Sequence, residues 1–474
     1  MKFFSGLKKP VRMMRKGSVA TQASTANSSS TSNSSSTSPR IPSTPTSLAQ
    51  STASSASSAL YQELPQDAVM ASVPMIRILD AQLHKTYFDW DKEEDSSTVW
   101  TCKVTDTQLD DRAIDRISLV GTSLHLDLDD QTRTSIPLLG ESGAEPNVEF
   151  SEDAVAFSDP AVVITCDNSA ILVSLQKTIA VAFFEHTAAY KALTGSLISS
   201  MGLRMPDINM ILKSTFNFKD WCEIYVPGEG WVRSWCHINT MSNKSDKHEP
   251  RGKYQIKFYR NSKSNAPSSA KANLICYIPD SSYVQDIFFY NPDTTTTQPT
   301  VNTAAEFLNS LRTIKLVGDV SYTQDAPSLR SPSTSSSITK QLISPKRDVS
   351  TKIVKEAKSS ASFRTDKRGI LIRPLPHRGL SHFDAMIKFI IPMMDITRKY
   401  GRPTQFIATT NDARSLMFGL PKLPNTSYLR DAELEALMNE RGLEYLEGKE
   451  SLAYSISWVS QYLSELYELD PERC

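Results

Sequence analysis

Hydrophobic positions along this chain fall into two alternating rhythms. Helical spacing marks Pro74 to Thr86 through Met75, Ile76, Ile78, Leu79 and Leu83. It returns over Asn168 to Ile198, a long stretch without proline, and over Ser381 to Tyr400, where Ser381 suits the N-cap and Pro392 implies a kink. Shorter helices are predicted at Asp431 to Met438 and at Lys449 to Leu469. Strand-like runs occupy Trp100 to Val104, Ile117 to Leu128, Ala161 to Thr165, Tyr254 to Tyr259, Ala272 to Ile278, Thr313 to Val317 and Gly369 to Pro374. Among these, S-L-H-L-D-L-D alternates apolar and polar with period two, as a half-buried strand does.

The densest signal is Lys219 to Ile238, K-D-W-C-E-I-Y-V-P-G-E-G-W-V-R-S-W-C-H-I. Two runs rich in aromatic and β-branched residues flank a Pro-Gly-Glu-Gly break. Such residues fit a pleated, half-buried surface and the glycines supply positive φ, so a β-hairpin is predicted. The second run, W-x-R-x-W-C-x-I, resembles the second strand of pleckstrin-homology (PH) domains.

Composition divides the rest. The chain has 474 residues, room for about three domains. Lys+Arg and Asp+Glu are both 52, which removes a whole-chain field attracting nucleic acid or membrane. Residues 1–68 are basic and then Ser/Thr-rich, with no acid before Glu63, and are expected to be disordered. Their first sixteen residues mix apolar and basic side chains. They fit a membrane-surface patch, a mitochondrial presequence or a solvated tail. The start lacks a long apolar core, so secretion is not expected, and the six scattered cysteines are read as reduced, mostly buried thiols. Residues 327–368 are Ser-, Pro- and Lys-rich and read as a solvated basic linker.

Five motifs then occur in order: F-F-E-H-T-A-A-Y-K-A-L-T-G-S-L-I from Phe183, W-V-R-S-W-C-H-I from Trp231, F-D-A-M-I-K-F-I-I-P-M-M-D from Phe383, Y-G-R-P from Tyr400 and S-L-M-F-G-L-P-K from Ser415, with L-V-G-T from Leu119 ahead of them. The set resembles the fungal PH-domain family whose budding-yeast members are associated with a deadenylase complex and with the bud neck, over roughly residues 70–470 apart from the linker. The resemblance implies an α+β fold: tandem PH-like β-sandwich or barrel domains, each closed by a C-terminal helix. It places the first domain at 70–200 and a split second domain at 205–402, whose closing helix is Ser381 to Tyr400. Residues 327–368 become a disordered insertion within that second domain, and 403–474 a mostly helical extension. A long insertion costs little because loop entropy grows with the logarithm of length. Within it, Ser344 precedes Pro345, Lys346 and Arg347 as a candidate proline-directed phosphosite.

Candidate chemistry is sparse. PH domains that hold phosphoinositides converge several cations from the first two strands. Here Val232 and Ser234 stand at the usual basic positions and Arg233 is displaced by one residue, hence onto the opposite face. Lys213, Lys219, Arg233, Lys253 and Lys257 offer a diffuse basic edge, against the plainer reading of a solvated strand face. Trp221, Trp231 and Trp235 read as packing. Cys222, Cys236 and His237 lie on neighbouring strands, yet adjacent Cys236 and His237 should face opposite ways, so no metal is expected. His186 is expected to pack beside its helix. G-x-S-x-G, Walker, H-E-x-x-H and G-x-G-x-x-G patterns are missing.

The expected function is therefore that of a non-enzymatic adaptor or scaffold without cofactor, cytoplasmic and enriched at the cell cortex or division site. It would dock on protein partners such as a deadenylase complex and serve polarised growth, division or meiosis and sporulation. The alternative is a peripheral protein that binds anionic phospholipid through the PH edge and basic tail. Direct nucleic-acid binding is not expected.

Overall fold

The computed structural model describes residues 64–104, 112–139, 147–158, 160–204, 218–240, 254–261, 273–291, 304–323, 363–376, 380–399, 409–422, 427–439 and 450–469. Lys213, Lys253, Ser344 and nearly all of the tail and of the linker lie outside them. Two antiparallel sheets and six α-helices are seen among the described residues.

The first sheet contains β1 (Thr86–Asp91), β2 (Trp100–Val104), β3 (Arg112–Val120), β4 (Ser123–Leu128), β5 (Arg133–Pro137), β6 (Val148–Phe150), β7 (Ala154–Ser158) and β8 (Ala161–Cys166). Its order is β5-β4-β3-β2-β8-β7-β6, and β1 pairs with β3 as well. The predicted alternation holds in β4, where Leu124, Leu126 and Leu128 are buried.

The second sheet contains β9 (Lys219–Val226), β10 (Gly230–Thr240), β11 (Tyr254–Tyr259), β12 (Leu274–Ile278), β13 (Val284–Tyr290), β14 (Thr313–Gly318), β15 (Val320–Thr323), β16 (Phe363–Asp366) and β17 (Ile370–Pro374). Its order is β13-β14-β17-β9-β10-β11-β12-β15-β16. The predicted hairpin is present as β9 and β10: Glu229 N–H donates to Val226 O at 3.0 Å, and Gly228 and Gly230 take φ of 73° and 80°. β17 arrives late in the chain and inserts between β14 and β9.

The helices are α1 (Gln66–His84), α2 (Ser169–Met201), α3 (Ala304–Ser310), α4 (His382–Thr397), α5 (Asp431–Asn439) and α6 (Glu450–Leu469). α2 starts where its sequence says: the Asn168 side chain accepts from Ala170 N–H at 3.1 Å. It is buried on nearly every side, and its small residues (Ala180, Ala182, Ala189, Ala192) let neighbours approach. Gln176 Nε2 donates to Ser151 O of the first sheet at 2.8 Å, and Thr194 Oγ1 accepts from Phe289 N–H of the second at 2.8 Å. Lys191 pairs with Asp286 at 3.2 Å, and Ser196 Oγ donates to Ala71 O of α1 at 2.9 Å. One helix thus serves as core to both sheets. α4 packs on β13, β14 and β17, with Ser381 Oγ accepting from Asp384 N–H at 3.0 Å.

Three expected boundaries are corrected. The first helix begins at Gln66 rather than Pro74, so residues 66–68 belong to it and not to the tail. Pro74 sits inside this helix, one residue from buried Met75. The linker ends earlier than 368, because Phe363–Asp366 pair with β15 as an edge strand. β1, β5, β6, β7, β13, β15, β16 and α3 have no counterpart in the predicted elements. The run I-F-F-Y of β13 is continuously buried because α2 lies on one side and α4 on another.

Candidate docking surface

Alternation along β9 and β10 sorts their side chains onto two faces. Cys222, Ile224 and Val226, then Ser234, Cys236 and Ile238, point into the core and are fully buried. Burial pushes the thiols of Cys222, Cys236 and Cys276 well above the ordinary cysteine range. They fill space as small apolar groups.

The outer face carries Lys219, Trp221, Glu223 and Tyr225 on β9, and Trp231, Arg233, Trp235 and His237 on β10. The register lines them into rows across the strands. Trp221 faces Trp235, with ring centroids 5.1 Å apart, and Tyr225 faces Trp231 at 5.6 Å. The Arg233 guanidinium lies 4.8 Å from the Trp221 ring, and the Arg373 guanidinium of β17 lies 3.6 Å from Trp231. Glu223 stands between Arg233 and Arg373 in the ladder. A further row reads Lys219, His237, Lys257, with Tyr277 of β12 beyond. Burial first, and then the two flanking lysines, hold the His237 imidazole below its usual range, and burial lowers Lys257.

Of the five basic residues picked from sequence, Lys219, Arg233 and Lys257 are described, and all three project outward. Lys219 and Lys257 flank His237, whereas Arg233 lies four residues along β10 and stacks on Trp221. The sequence singles out His237 only as a metal-ligand candidate. Its place between two lysines is set by strand register, for which a single run of sequence carries no signal. Cys236 points inward and His237 outward, and no metal-holding group of His, Cys, Asp or Glu occurs among the described residues.

The other ionisable cluster is buried. Lys85 Nζ donates to Glu185 Oε1 and to Leu429 O, both at 2.9 Å, while Leu429 N–H donates to Glu185 Oε1 at 2.8 Å. The Tyr87 hydroxyl donates to Glu185 Oε2, and Gln82 joins Tyr87 to His186 Nδ1 at 3.3 and 3.1 Å. Burial pushes Glu185 up despite Lys85, and burial together with Glu185 pushes Tyr87 well up. The His186 ring packs between Tyr190 and Tyr290, where burial lowers it to about 3. Three of the sequence motifs meet here. Gly121 of L-V-G-T takes φ 56° and donates to Lys85 O at 2.9 Å. F-F-E-H supplies Glu185. In S-L-M-F-G-L-P-K, Gly419 takes φ 81° against the Tyr428 ring, the Tyr428 hydroxyl donates to Phe418 O, and the ring meets Phe184 at 5.9 Å. With both oxygens of Glu185 engaged by Lys85, Tyr87 and Leu429, this cluster stitches α2 to the C-terminal segment.

Comparison with known proteins follows these lines. A family model described as a fungal PH-like domain matches residues 204–418, which contain the second sheet and α4. The chain is 35% identical over 451 residues to the uncharacterized protein YJL016W of Saccharomyces cerevisiae, covering 86% of this chain and 78% of that protein. It is 26% identical over 258 residues to CAF120 of the same yeast, described as a CCR4-NOT transcriptional complex subunit, covering 54% of this chain and 19% of CAF120. No solved structure matches.

Proposed function

The chain belongs to the fungal PH-like domain family, and from that premise we propose that it is a non-enzymatic adaptor that docks on a protein complex. The observation that carries this reading is the outer face of β9 and β10, where aromatic and charged side chains form a half-exposed surface in the matched domain. The similarity to CAF120 supports a complex of the CCR4-NOT kind as partner. In this reading the first sheet with α2 is a second PH-like domain, and the matched domain is split, since residues 204–418 bracket the basic linker. The adaptor is cytoplasmic, is enriched at the cortex or division site, and acts in polarised growth, division or sporulation.

Affinity purification of the tagged full chain with mass spectrometry, alongside live imaging, tests it. CCR4-NOT subunits recovered well above an untagged control are expected. Purification of the chain alone, with an even cellular distribution, would sink the proposal.

A further inference from the structure

Tyr428 and Leu429 are held in the fold as a bound peptide would be. Glu185 of α2 accepts from the Leu429 N–H at 2.8 Å, and Lys85, at the end of α1, donates to the Leu429 carbonyl at 2.9 Å. Both main-chain groups of one residue are thus read by side chains from distant parts of the chain. The clamp is set before the segment enters it, because the Tyr87 hydroxyl engages Glu185 Oε2 and Lys85 pairs with Oε1 at 2.9 Å. One residue earlier, the Tyr428 ring fills a slot. Phe184 lines its side at 5.9 Å between ring centroids, Gly419 forms its floor, and Phe418 O accepts from the phenol hydroxyl. A Cβ at Gly419 would collide with the ring, so the slot depends on glycine. Slot and clamp together read a hydroxylated aromatic side chain and then the backbone of a residue whose own side chain is fully buried. The helix that follows is lightly anchored. In α5 only Glu433 and Leu437 are buried, while Asp431, Ala432, Glu435 and Ala436 are exposed. α2, by contrast, is buried on nearly every side.

We propose that this slot and clamp form a binding site for a tyrosine–aliphatic segment of a partner protein, a site occupied in cis by Tyr428–Leu429 and opened when residues 427–439 lift away. The chemistry of the occupant is read from the segment seated there. The slot selects tyrosine by shape and by the acceptor at its end. The clamp asks only for a free N–H and C=O on the next residue, which every residue but proline supplies. Opening is confined to this segment because elements with few buried apolar contacts open at lower cost than the core. Slot and clamp stay formed meanwhile, since Phe184 and Glu185 belong to α2 and Lys85 directly follows α1. The tethered segment competes at an effective concentration on the order of millimolar, so the closed site excludes weak ligands and yields to a well-matched one. The site adds a second contact to the adaptor reading, and its use in docking rests on that reading.

Two measurements on the full chain test it. In hydrogen exchange read by mass spectrometry at low denaturant, residues 427–439 are expected to exchange as one unit, at least about tenfold faster than α2. Exchange of both at one rate overturns the proposal. In fluorescence anisotropy, a labelled peptide of residues 427–434, S-Y-L-R-D-A-E-L, is titrated with the chain. The Tyr428→Ala chain, whose slot is empty, is expected to bind it at least about tenfold more tightly than the unaltered chain. Leu437→Ala loosens α5 while keeping the slot and clamp residues, and should tighten binding in the same direction. It keeps the test decisive if thermal melting shows Tyr428→Ala to be misfolded. Within the peptide, Tyr428→Phe should cost about three- to tenfold and Tyr428→Ala should abolish binding. Equal binding of the tyrosine and alanine peptides, or no gain in either chain variant, overturns the proposal. A doubled mass in light scattering that the peptide reverses would assign the groove to a second copy of this chain, and overturns the partner reading. A chain that recovers CCR4-NOT subunits yet ignores the peptide in every variant loses this site and keeps the adaptor role. Peptide binding without those subunits supports the site alone.

Discussion

Lys85 and Glu185 meet 2.9 Å apart with side chains only 12% and 1% exposed, and both reach Leu429. Breaking a buried pair leaves the survivor charged and dry. Lys85→Met and Glu185→Gln should each lower unfolding free energy by about 3–5 kcal/mol in urea at neutral pH. The double variant should lose clearly less than the two together, because neither charge is left alone. Additive losses would show that the two groups act separately.

Gly419 and Tyr428 make a second coupled pair. A Cβ at Gly419 would strike the Tyr428 ring and would have to sit at φ 81°. Gly419→Ala should cost about 1–3 kcal/mol by thermal or chemical denaturation. In a Tyr428→Phe background the cost should shrink, since the hydroxyl is the first atom met. An unchanged cost would assign the strain to the backbone and the remaining ring carbons.

Asp95 gives a pH dependence of known sign. Hydrogen bonds from Ser97 and then Thr98 hold its carboxyl down at about 2, against an ordinary 3.8. A folded pKa below the unfolded one stabilises above pH 3.8, and that contribution disappears as pH falls towards 2. Asp95→Asn should therefore flatten the loss of stability between those pH values. Parallel acid-denaturation curves for the two proteins would refute the assignment.

Arg233 and Arg373 should behave as packing groups. Replacement by alanine should cost about 0.5–1 kcal/mol for Arg233, and about 2 kcal/mol for Arg373, which sits closer over its ring. Arg233→Ala should leave any association with anionic vesicles unchanged in a sedimentation assay. Selective loss of vesicle binding would make Arg233 a headgroup contact.

Cys222, Cys236 and Cys276 are buried thiols whose ionisation burial suppresses. Iodoacetamide on the native chain should leave all three unmodified by mass spectrometry, and should label them in denaturant. The less buried Cys166 should react earlier. Rapid native labelling of the three would mean that the second sheet opens readily.

Local signals carried much of the fold into view. The hairpin at Pro227 to Gly230 and the cap Ser381 each depend on a few neighbouring residues, and each is where the chain predicts. Reading Pro74 as a helix start misses about two turns of helix, because tertiary packing of Met75, Ile76 and Leu79 holds the helix through the proline. β13 escaped because burial from both sides erases alternation. The motifs marked important residues but not their use: Lys85, Glu185 and Leu429 come together only in three dimensions. The Lys219–His237–Lys257 row likewise exists only once β9, β10 and β11 are in register.

The insertion of β17 between β14 and β9 has a temporal consequence. β9 and β10 leave the ribosome as a finished hairpin, but the second neighbour of β9 is encoded roughly 150 residues later, about 7–30 s of synthesis at typical rates. During that interval the nascent hairpin presents a bare strand edge lined with Trp221 and Tyr225, the kind of edge that captures stray strands. Completion of this sheet is thus paced by translation, and the growing chain needs shielding until Ile370–Pro374 arrive to close the gap.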